Sequence, residues 1–180
     1  GRITDSARRL TKAMDEIVWA VDPQHDTLAG LMDYVSAYAE DFLRVAEIRC
    51  RMDLPVTLPD VRVEAELRYN LFLALKEALN NIVKHAKATE VWLRLKLDGR
   101  QVALIIEDNG RGISGGNNSA DAVRLRSGYG RSNLSRRLES VGGHATIQSE
   151  SGRGTRVELT VTLKDGSSPV VAIGGGGQVE

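Results

Sequence analysis

Two polar residues on one predicted helix have side chains, and a spacing, that could together bind a metal ion. Glu77 and Asn81 lie four residues apart, so a helix places them on one stripe, and Lys84 follows three positions later on that stripe. The carbonyl oxygen of an asparagine is a hard ligand suited to Mg²⁺, and a lysine offers a positive charge to a phosphate. Glu77 could hold a metal-bound water or act as a general base. Taken alone, this spacing is commonplace, and a solvated helix face explains it better.

A carboxylate also stands where a predicted buried strand ends. The apolar run Val102 to Ile106 is followed directly by Glu107 and Asp108. A carboxylate at such a strand end can accept a hydrogen bond from an exocyclic amine such as adenine N6. Gly110 and Gly112 would let the backbone approach a base and take positive φ. An ordinary Asp-x-Gly turn fits the same residues equally well.

Two further glycine turns come later in the chain. The run Gly128-Tyr129-Gly130 directly precedes a predicted helix, where backbone N–H groups can contact a phosphate. It lacks the third glycine of a dinucleotide fingerprint and follows a loop, which excludes a Rossmann fold. Thr155, after Gly152 and Gly154, would place a hydroxyl beside Asp108 if the last hairpin lies next to that strand. Each signal is weak, but the four in this order predict a pocket for a magnesium-bound nucleotide.

The length, net charge and cysteine content limit the classes of protein to which this chain could belong. A length of 180 residues suits one domain with an appendage, and a formal net charge of zero gives no sign of nucleic-acid or acidic-membrane binding. Cys50 is the only cysteine, so no internal disulfide can form, and a reducing compartment is the natural environment. No apolar run approaches the roughly 18 residues of a membrane helix, and no signal peptide is visible. Cys50 and the histidines lack the spacing of a zinc site.

Apolar residues near the start of the chain follow a heptad repeat. Their spacing alternates between four and three, which predicts a helix that packs its seam against a partner helix, although a helix folded back on its own domain is an alternative. Pro23 interrupts the pattern and predicts a hinge. The chain opens with Gly1-Arg2 rather than Met, from which we expect a fragment of a cytoplasmic or membrane-anchored protein. The seam consists of Ile3, Ala7, Leu10, Met14, Ile17 and Val21.

The remaining periodicity predicts a helix, a strand, a long helix, a hairpin, a loop, a helix and a second hairpin. Strands paired through short turns, with helices in separate runs, are typical of an α+β fold: a two-layer α/β sandwich with a mixed sheet. Residues 114–127 are polar and aperiodic, and a loop of this length is usually functional or disordered. Helices are predicted at 28–46, 61–86 and 131–141, and strands at 48–54, 91–97, 102–107, 145–149 and 156–163.

These motifs resemble those of the catalytic ATP-binding domain of sensor histidine kinases, in the subgroup with a short nucleotide lid. The wider superfamily includes DNA gyrase, the MutL repair ATPases and a heat-shock chaperone. The resemblance covers about Thr27 to Leu163 and is specific, because the family's N box and its three glycine boxes all occur in order. The four boxes correspond to Lys76–Ala86, Asp108–Ile113, Gly128–Gly130 and Gly152–Thr155.

The resemblance implies a role for individual residues, with ATP as the substrate and Mg²⁺ as the metal. Asn81 would ligate Mg²⁺, and Glu77 would be the catalytic residue beside it. Asp108 would read the adenine amine, with Thr155 bound nearby through water, and residues 114–127 would form the lid. The other nucleotide-binding residues would be Lys84, His85, Gly110, Gly112, Ile113, Gly128, Tyr129 and Gly130.

The resemblance also divides the chain into three parts. Residues 1–24 would be the end of a dimerisation helix with a hinge, 25–165 the ATP-binding catalytic domain, and 166–180 a flexible tail. Trp19 and Trp92 are expected to pack within the protein rather than to stack on a ligand.

The implied activity is transfer of the ATP γ-phosphate to a histidine outside these residues. The family's His-Asp or His-Glu acceptor motif is absent: His25 lies in the hinge, His85 in the N box, and His144 leads into a strand. The implied partners are an upstream histidine-bearing dimerisation domain, a response regulator and a second copy bound through residues 1–21, with no nucleic acid. One alternative is a hydrolase of the same fold, in which Glu77 activates water. A scaffold without turnover is another.

Overall fold

A computed structural model describes Met14, residues 18–112 and residues 131–163. In these ranges a five-stranded mixed sheet is covered on one face by helices, which confirms the predicted α+β fold. The helices are α1 (Leu28–Val45), α2 (Ala65–Asn81) and α3 (Arg131–Glu139), and a π-helical turn (Ile82–Ala86) continues α2. The strands are β1 (Arg49–Asp53), β2 (Glu90–Asp98), β3 (Gln101–Asp108), β4 (His144–Glu150) and β5 (Gly154–Thr162).

The sheet places its strands in the order β1-β2-β3-β5-β4. β1 runs parallel to β2 along one edge, and every other pair is antiparallel. Alternate residues of the three central strands face the helices and are buried, because successive side chains of a strand point to opposite faces. The buried set on that face is Val91, Leu93, Leu95, Val102, Leu104, Ile106, Val157, Leu159 and Val161.

Most predicted elements are confirmed to within a few residues. Helix α1 ends one residue before the predicted position, and its start is capped by Thr27, whose Oγ1 accepts from the Gly30 N–H at 3.1 Å. The turn after α3 has Gly142 at φ 75°, and the Gly143 N–H donates to the Leu138 carbonyl at 2.7 Å. Within the described part of the chain, no helix combines the length and the apolar composition that crossing a bilayer requires.

The predicted helix at 61–86 is wrong at its start. Helix α2 begins only at Ala65, because the residues before it are extended. The Val63 N–H donates to the Asp26 carbonyl at 2.6 Å, which ties this stretch to the segment that leads into α1. Val61 and Val63 are both buried with an exposed residue between them. This is the period of an extended segment, so Val61 and Val63 are not part of the helix.

The same helix also differs from the prediction at its end. Regular α-helix stops at Asn81, and the π-helical turn then closes with Lys87 in the left-handed region at φ 53°. Glu77 and Asn81 keep their four-residue α-helical relation. Lys84 lies in the wider π turn, so its assumed position on the same α-helical stripe is wrong.

The segment before α1 is docked on the domain. Trp19 and Ala20 are 7% and 2% exposed, and both belong to the hydrophobic core. The Trp19 ring stacks on the Tyr34 ring of α1, with centroids 3.7 Å apart and an interplanar angle of 10°. Trp19 therefore packs as expected. The predicted hinge contains a short 3₁₀ turn at Pro23–His25, and a domain boundary at residue 24 stays a prediction.

Arg68 of helix α2 holds this segment in place through hydrogen bonds. Its side chain is 2% exposed, and its guanidinium donates to the carbonyls of Ala20, Val63 (2.6 Å) and Asp22 (3.3 Å). Burial lowers the pKa of Arg68, and the nearby carboxylates of Asp26 and Asp22 oppose that effect. One buried cation thus connects the end of the first helix to the helix that carries Glu77 and Asn81.

Candidate nucleotide-binding site

One row of side chains at the end of the sheet interrupts the apolar pattern. Asp108 of β3 pairs with Thr155 of β5, and Thr155 pairs with Ser149 of β4. Directly opposed residues of antiparallel strands project to the same face, so all three side chains lie on the helix-covered face. The next row along the same strands contains Ile106 and Val157, both buried. A polar row thus lines the sheet where its core ends.

Asp108 is the buried carboxylate of this row, with an exposure of only 2%. Its Oδ1 accepts from the Gly110 N–H at 2.7 Å, and the Thr155 N–H also bonds to the carboxylate. Burial raises the pKa of Asp108, the two backbone hydrogen bonds oppose this, and the charge of Glu107 adds to it. Because a buried carboxylate offers about four acceptor positions, it can still accept a hydrogen bond from a ligand amine.

The glycines around Asp108 are required by close contacts. A Cβ on Gly110 would collide with the Ala86 carbonyl oxygen and lie 2.7 Å from Asp108 Oδ1. A Cβ on Gly154 would collide with the Asp108 carbonyl oxygen. Gly112 has the expected positive φ, 61°, whereas Gly110 does not, so the expectation of positive φ is wrong for Gly110. Its lack of a side chain serves to seat strand β3 against the π-helical turn.

Arg111 joins the three segments that carry the motifs. Its N–H donates to the Ala86 carbonyl and its Nε to the His85 carbonyl, both at 2.8 Å. Its own carbonyl accepts from the Gly152 N–H at 2.7 Å. The π-helical turn, the end of β3 and the turn before β5 therefore meet at one residue. Arg111 had no role in the prediction from motifs, and its only signal was its position between two glycines of the Asp-x-Gly-x-Gly motif.

Asn109 is a second residue that had no role in the prediction from motifs. Its Oδ1 accepts from the N–H groups of Thr89 and Glu90 at 2.9 and 3.0 Å, and its Nδ2 donates to Thr89 Oγ1 at 2.9 Å. These bonds hold the start of β2 against the end of β3. Asn109 thus has a structural role beside the candidate site.

Helix α2 supplies the groups suited to a metal and to phosphates. Glu77 is partly buried, which raises the pKa of its carboxyl, while the nearby Arg137 of α3 opposes that shift. Asn81 is exposed, and its side chain makes no capping bond to the π-helical turn. Its amide oxygen is therefore available as a hard ligand, so the residue fits Mg²⁺. Lys84 and His85 are both exposed on the turn.

The structure brings part of the predicted site into direct contact. Asp108, Gly110 and Thr155 are joined by hydrogen bonds, Gly112 lies beside the turn before β5, and His85 is tied in through Arg111. Glu77 and Asn81 belong to the helix that leads into the same turn. Predictions for Ile113, Gly128, Tyr129, Gly130 and the lid at 114–127 fall outside the described residues.

Comparison with known proteins identifies the class to which this fold and site belong. Residues 67–165 match the family described as histidine kinase-, DNA gyrase B-, and HSP90-like ATPases. That range is more than half of the chain and contains α2 from Leu67 onward, the π-helical turn, strands β2 to β5 and every predicted site residue. The chain belongs to this family, and it contains an ATP-binding domain of the type found in sensor histidine kinases, as the four motifs predicted.

Similar proteins of known name are sensor kinases. The sensor histidine kinase LiaS of Bacillus subtilis is 28% identical over 134 residues, which is 74% of this chain and 34% of LiaS. The signal transduction histidine-protein kinase/phosphatase UhpB of Salmonella typhimurium is 35% identical over 94 residues, 52% of this chain and 17% of UhpB. The chain thus spans about a third or less of the length of these relatives.

Solved structures share the fold at low sequence identity. The blue-light activated histidine kinase EL346 of Erythrobacter litoralis superposes with a TM-score of 0.62 at 22% identity, over 91% of this chain and 50% of that one. The histidine kinase AdeS of Acinetobacter baumannii gives a TM-score of 0.57 at 15% identity, over 88% of this chain and 79% of that one. These likenesses confirm the α+β architecture.

Proposed function

We propose that this chain binds Mg-ATP and acts as the catalytic domain of a sensor histidine kinase, presenting the γ-phosphate to a histidine on another segment. The observation that carries the proposal is the buried carboxylate of Asp108, held at a strand end by the N–H groups of Gly110 and Thr155. The membership of the ATPase family and the names of the relatives support it.

Asp108 selects the base in this proposal. An ionised carboxylate only accepts hydrogen bonds, and adenine presents an amine where guanine presents a carbonyl. The amine would therefore complete the hydrogen bonding of Asp108, whereas guanine would leave two acceptors facing each other in a buried site. Thr155, on the neighbouring strand, would contribute through a water molecule.

The phosphates lie towards helix α2 in this proposal. Asn81 would hold Mg²⁺ through its amide oxygen, and the metal would supply charge neutralisation on the phosphates when bound. Lys84 and His85 would contact the phosphate and the sugar or base from the exposed π-helical turn. Glu77, partly buried beside Arg137, would hold a water of the metal shell or orient the incoming nucleophile.

The acceptor histidine lies on another segment in this proposal. His25 Nδ1 is bonded to Asp22 Oδ2 at 3.2 Å, His85 belongs to the nucleotide turn, and His144 begins strand β4. In-line transfer requires a nucleophile roughly 3–3.5 Å from phosphorus, which none of the three reaches without leaving its element. A dimerisation domain with a histidine would supply the acceptor, a response regulator would receive the phosphoryl group, and residues 114–127 would form a short lid.

Calorimetry tests the nucleotide assignment. We expect the chain to bind ATP and ADP but not GTP. Asn81→Ala should weaken Mg-ATP binding far more than metal-free ADP binding, because the contacts to adenine survive. Equal affinity for ATP and GTP would contradict the role of Asp108, and equal weakening of the two ligands by Asn81→Ala would make Asn81 structural.

We also propose that the helix at residues 1–21 mediates self-association. Three apolar side chains at or beside its seam, Met14, Val18 and Val21, are 64%, 61% and 61% exposed, while Trp19 packs on the domain. Sedimentation should show a dimer that Met14→Glu combined with Leu10→Glu dissociates, with ATP affinity unchanged. A monomeric parent chain would contradict this proposal.

A further inference from the structure

We propose that Arg111 is a positioning residue for nucleotide binding, which holds the end of the π-helical turn so that Lys84 and His85 of that turn are set to contact the nucleotide. This inference rests on the proposed function, in which these two side chains contact the phosphate and the sugar or base. It starts from two hydrogen bonds to adjacent carbonyls. The Arg111 N–H donates to the Ala86 carbonyl and its Nε donates to the His85 carbonyl, both at 2.8 Å.

These two bonds close the end of the helix that carries the groups suited to a metal and to phosphates. The last carbonyls of a helix have no partner within the helix, so they need donors from elsewhere. His85 and Ala86 are the last two residues of the turn, and Lys87 then leads the chain away in the left-handed region at φ 53°. A guanidinium only donates hydrogen bonds, which suits this end. Arg111 therefore caps the turn from a segment that is 26 residues away from His85 in sequence.

The capped turn has an exposed middle between two buried ends. Ile82 and Ala86 are 5% and 9% exposed and belong to the hydrophobic core. Residues 83–85 between them are all exposed, so burial of their side chains does not fix them. The bond from Arg111 Nε gives this exposed stretch a tertiary contact, and it does so at the backbone of His85. The direction of the two nucleotide-facing side chains therefore depends on this bond.

The backbone of Arg111 is itself held firmly by its neighbours. A Cβ on Gly110 would collide with a carbonyl of the π-helical turn, and a Cβ on Gly112 would collide with a carbonyl at the end of β4. The Arg111 carbonyl also accepts from the Gly152 N–H at 2.7 Å. Since the segment on both sides of Arg111 lies against other parts of the domain, the bond from Nε constrains the exposed turn rather than the segment that carries Arg111.

A double-mutant cycle of Mg-ATP affinity, measured by calorimetry on the whole 180-residue chain, tests the inference. Arg111→Met places a methyl group at the position of Nε, and Arg111→Gln places an amide nitrogen there. Both variants are neutral, so their comparison isolates the hydrogen bond from the charge. Arg111→Met should weaken Mg-ATP binding by roughly three- to tenfold, the range of one hydrogen bond, and Arg111→Gln should stay within about twofold of the parent. Arg44→Met, which removes an exposed arginine from the last turn of α1, is the matched control and should change nothing.

The decisive comparison is made in a Lys84→Ala, His85→Ala background. Arg111 bonds to a backbone carbonyl of the turn, so its hydrogen bond survives the loss of both side chains. A positioning residue then has nothing left to position, and Arg111→Met should weaken Mg-ATP binding by less than about twofold. A merely structural residue would weaken binding by the same factor in both backgrounds.

The results distinguish failure of the inference from failure of the proposed function. If the parent chain does not bind Mg-ATP, both fail. If it does, but the Lys84→Ala, His85→Ala background binds equally well, the assignment of the turn and the inference fail while Asp108 keeps its role. If that background is weakened, but Arg111→Met acts equally in both backgrounds, has no effect in the parent or is matched by Arg111→Gln, only the inference is overturned. Lys84, His85 and Arg111 are all exposed, so the variants should fold, and an unfolded Arg111→Met would make the residue structural and overturn the inference.

Discussion

The proposed role of Asp108 in binding the base has an energetic cost, because its carboxylate is buried. Burial raises the pKa of its carboxyl above the ordinary value of 3.8, so the folded protein binds this proton more tightly than the unfolded chain does. The favourable contribution of the protonated carboxyl to the free energy of unfolding is present below the pKa of the unfolded chain and is lost as the pH rises through the pKa of the folded protein. An ionised Asp108 is therefore an unfavourable buried charge in the free protein, and an amine donor from the base would relieve it.

Asp108→Asn should separate stability from binding. At pH 7 we expect the ligand-free variant to unfold at the same temperature as the parent or a higher one, because the buried charge is gone. That difference should shrink as the pH falls towards 3.8. Affinity for ATP should fall by about 1–3 kcal/mol, the cost of a mismatched buried polar group. Thermal unfolding across pH and calorimetry measure the two effects, and a variant that is less stable than the parent at pH 7 would contradict the first.

Some of the candidate site residues are visible in the sequence through their types and spacing, and others are not. Glu77, Asn81 and Asp108 stand in motifs whose chemistry is visible locally, at a helical spacing and at a strand end. Arg111 and Asn109 act by bonding the backbone of the π-helical turn and of the segment entering β2, which are distant in sequence. Their partners exist only once the chain has folded, so no local pattern identifies them.

The segment that follows β3 contacts the π-helical turn, and this contact holds the candidate site together. Gly110→Ala would push a Cβ into the Ala86 carbonyl and the Asp108 carboxylate. We expect a loss of about 1–3 kcal/mol in the free energy of unfolding, together with loss of ATP binding. Gly99→Ala is the control, because Gly99 has φ 55° and open space around it. That change should cost about 1–2 kcal/mol through the backbone alone and leave ATP affinity intact. Chemical denaturation and calorimetry compare the two, and unchanged binding by the Gly110 variant would refute the contact.

The start of α2 could not be predicted from the local sequence. Its interior follows from its apolar stripe, but its start depends on a hydrogen bond between Val63 and Asp26, which are 37 residues apart (63 minus 26). The extended pair Val61 and Val63 spans too few residues for its period to outweigh the helical pattern that follows. The widening at Ile82–Ala86 likewise has no local breaker, since no glycine or proline occurs there, and its Ala86 carbonyl accepts from the N–H of Arg111, which is distant in sequence.

The end of the first helix is held against α2 by Arg68, and this contact contributes to the stability of the whole domain. Arg68→Ala would remove the buried guanidinium that donates to the Ala20 and Val63 carbonyls, whereas the Asp22 carbonyl would keep its bond from the His25 N–H, and we expect a loss of about 2–4 kcal/mol in the free energy of unfolding. Release of Trp19 should shift its fluorescence to the red, which is measured most cleanly in a Trp92→Phe background.

Arg62→Ala is the matched control for this prediction. Arg62 is an exposed arginine whose Nε lies 3.6 Å from Asp26 Oδ2, and removal of such a pair should change the stability by about 0–1 kcal/mol. Equal effects of the Arg68 and Arg62 changes, or an unshifted spectrum with Arg68→Ala, would show that the buried arginine does not hold the segment.

The fold class was predictable from the order and period of the elements, but the arrangement of the sheet was not. The antiparallel hairpins β2–β3 and β4–β5 follow from their short turns, and the helix-covered face follows from the alternation. The parallel pairing of β1 with β2 and the insertion of β5 between β3 and β4 depend on distant packing. The burial of Trp19 is likewise invisible in the heptad pattern, because Trp19 lies off the seam.

Phosphoryl transfer from ATP to an added histidine is the decisive measurement for the proposed kinase function. The chain should be incubated with ATP that is radiolabelled on the γ-phosphate, alone and with a dimeric helical hairpin that carries a histidine acceptor. We expect ATP binding without stable labelling in the first case and acid-labile labelling of the hairpin in the second, reduced by Asn81→Ala and by Glu77→Ala. Robust labelling of the chain itself would contradict an acceptor on another segment, and rapid release of phosphate without any hairpin would instead identify a hydrolase.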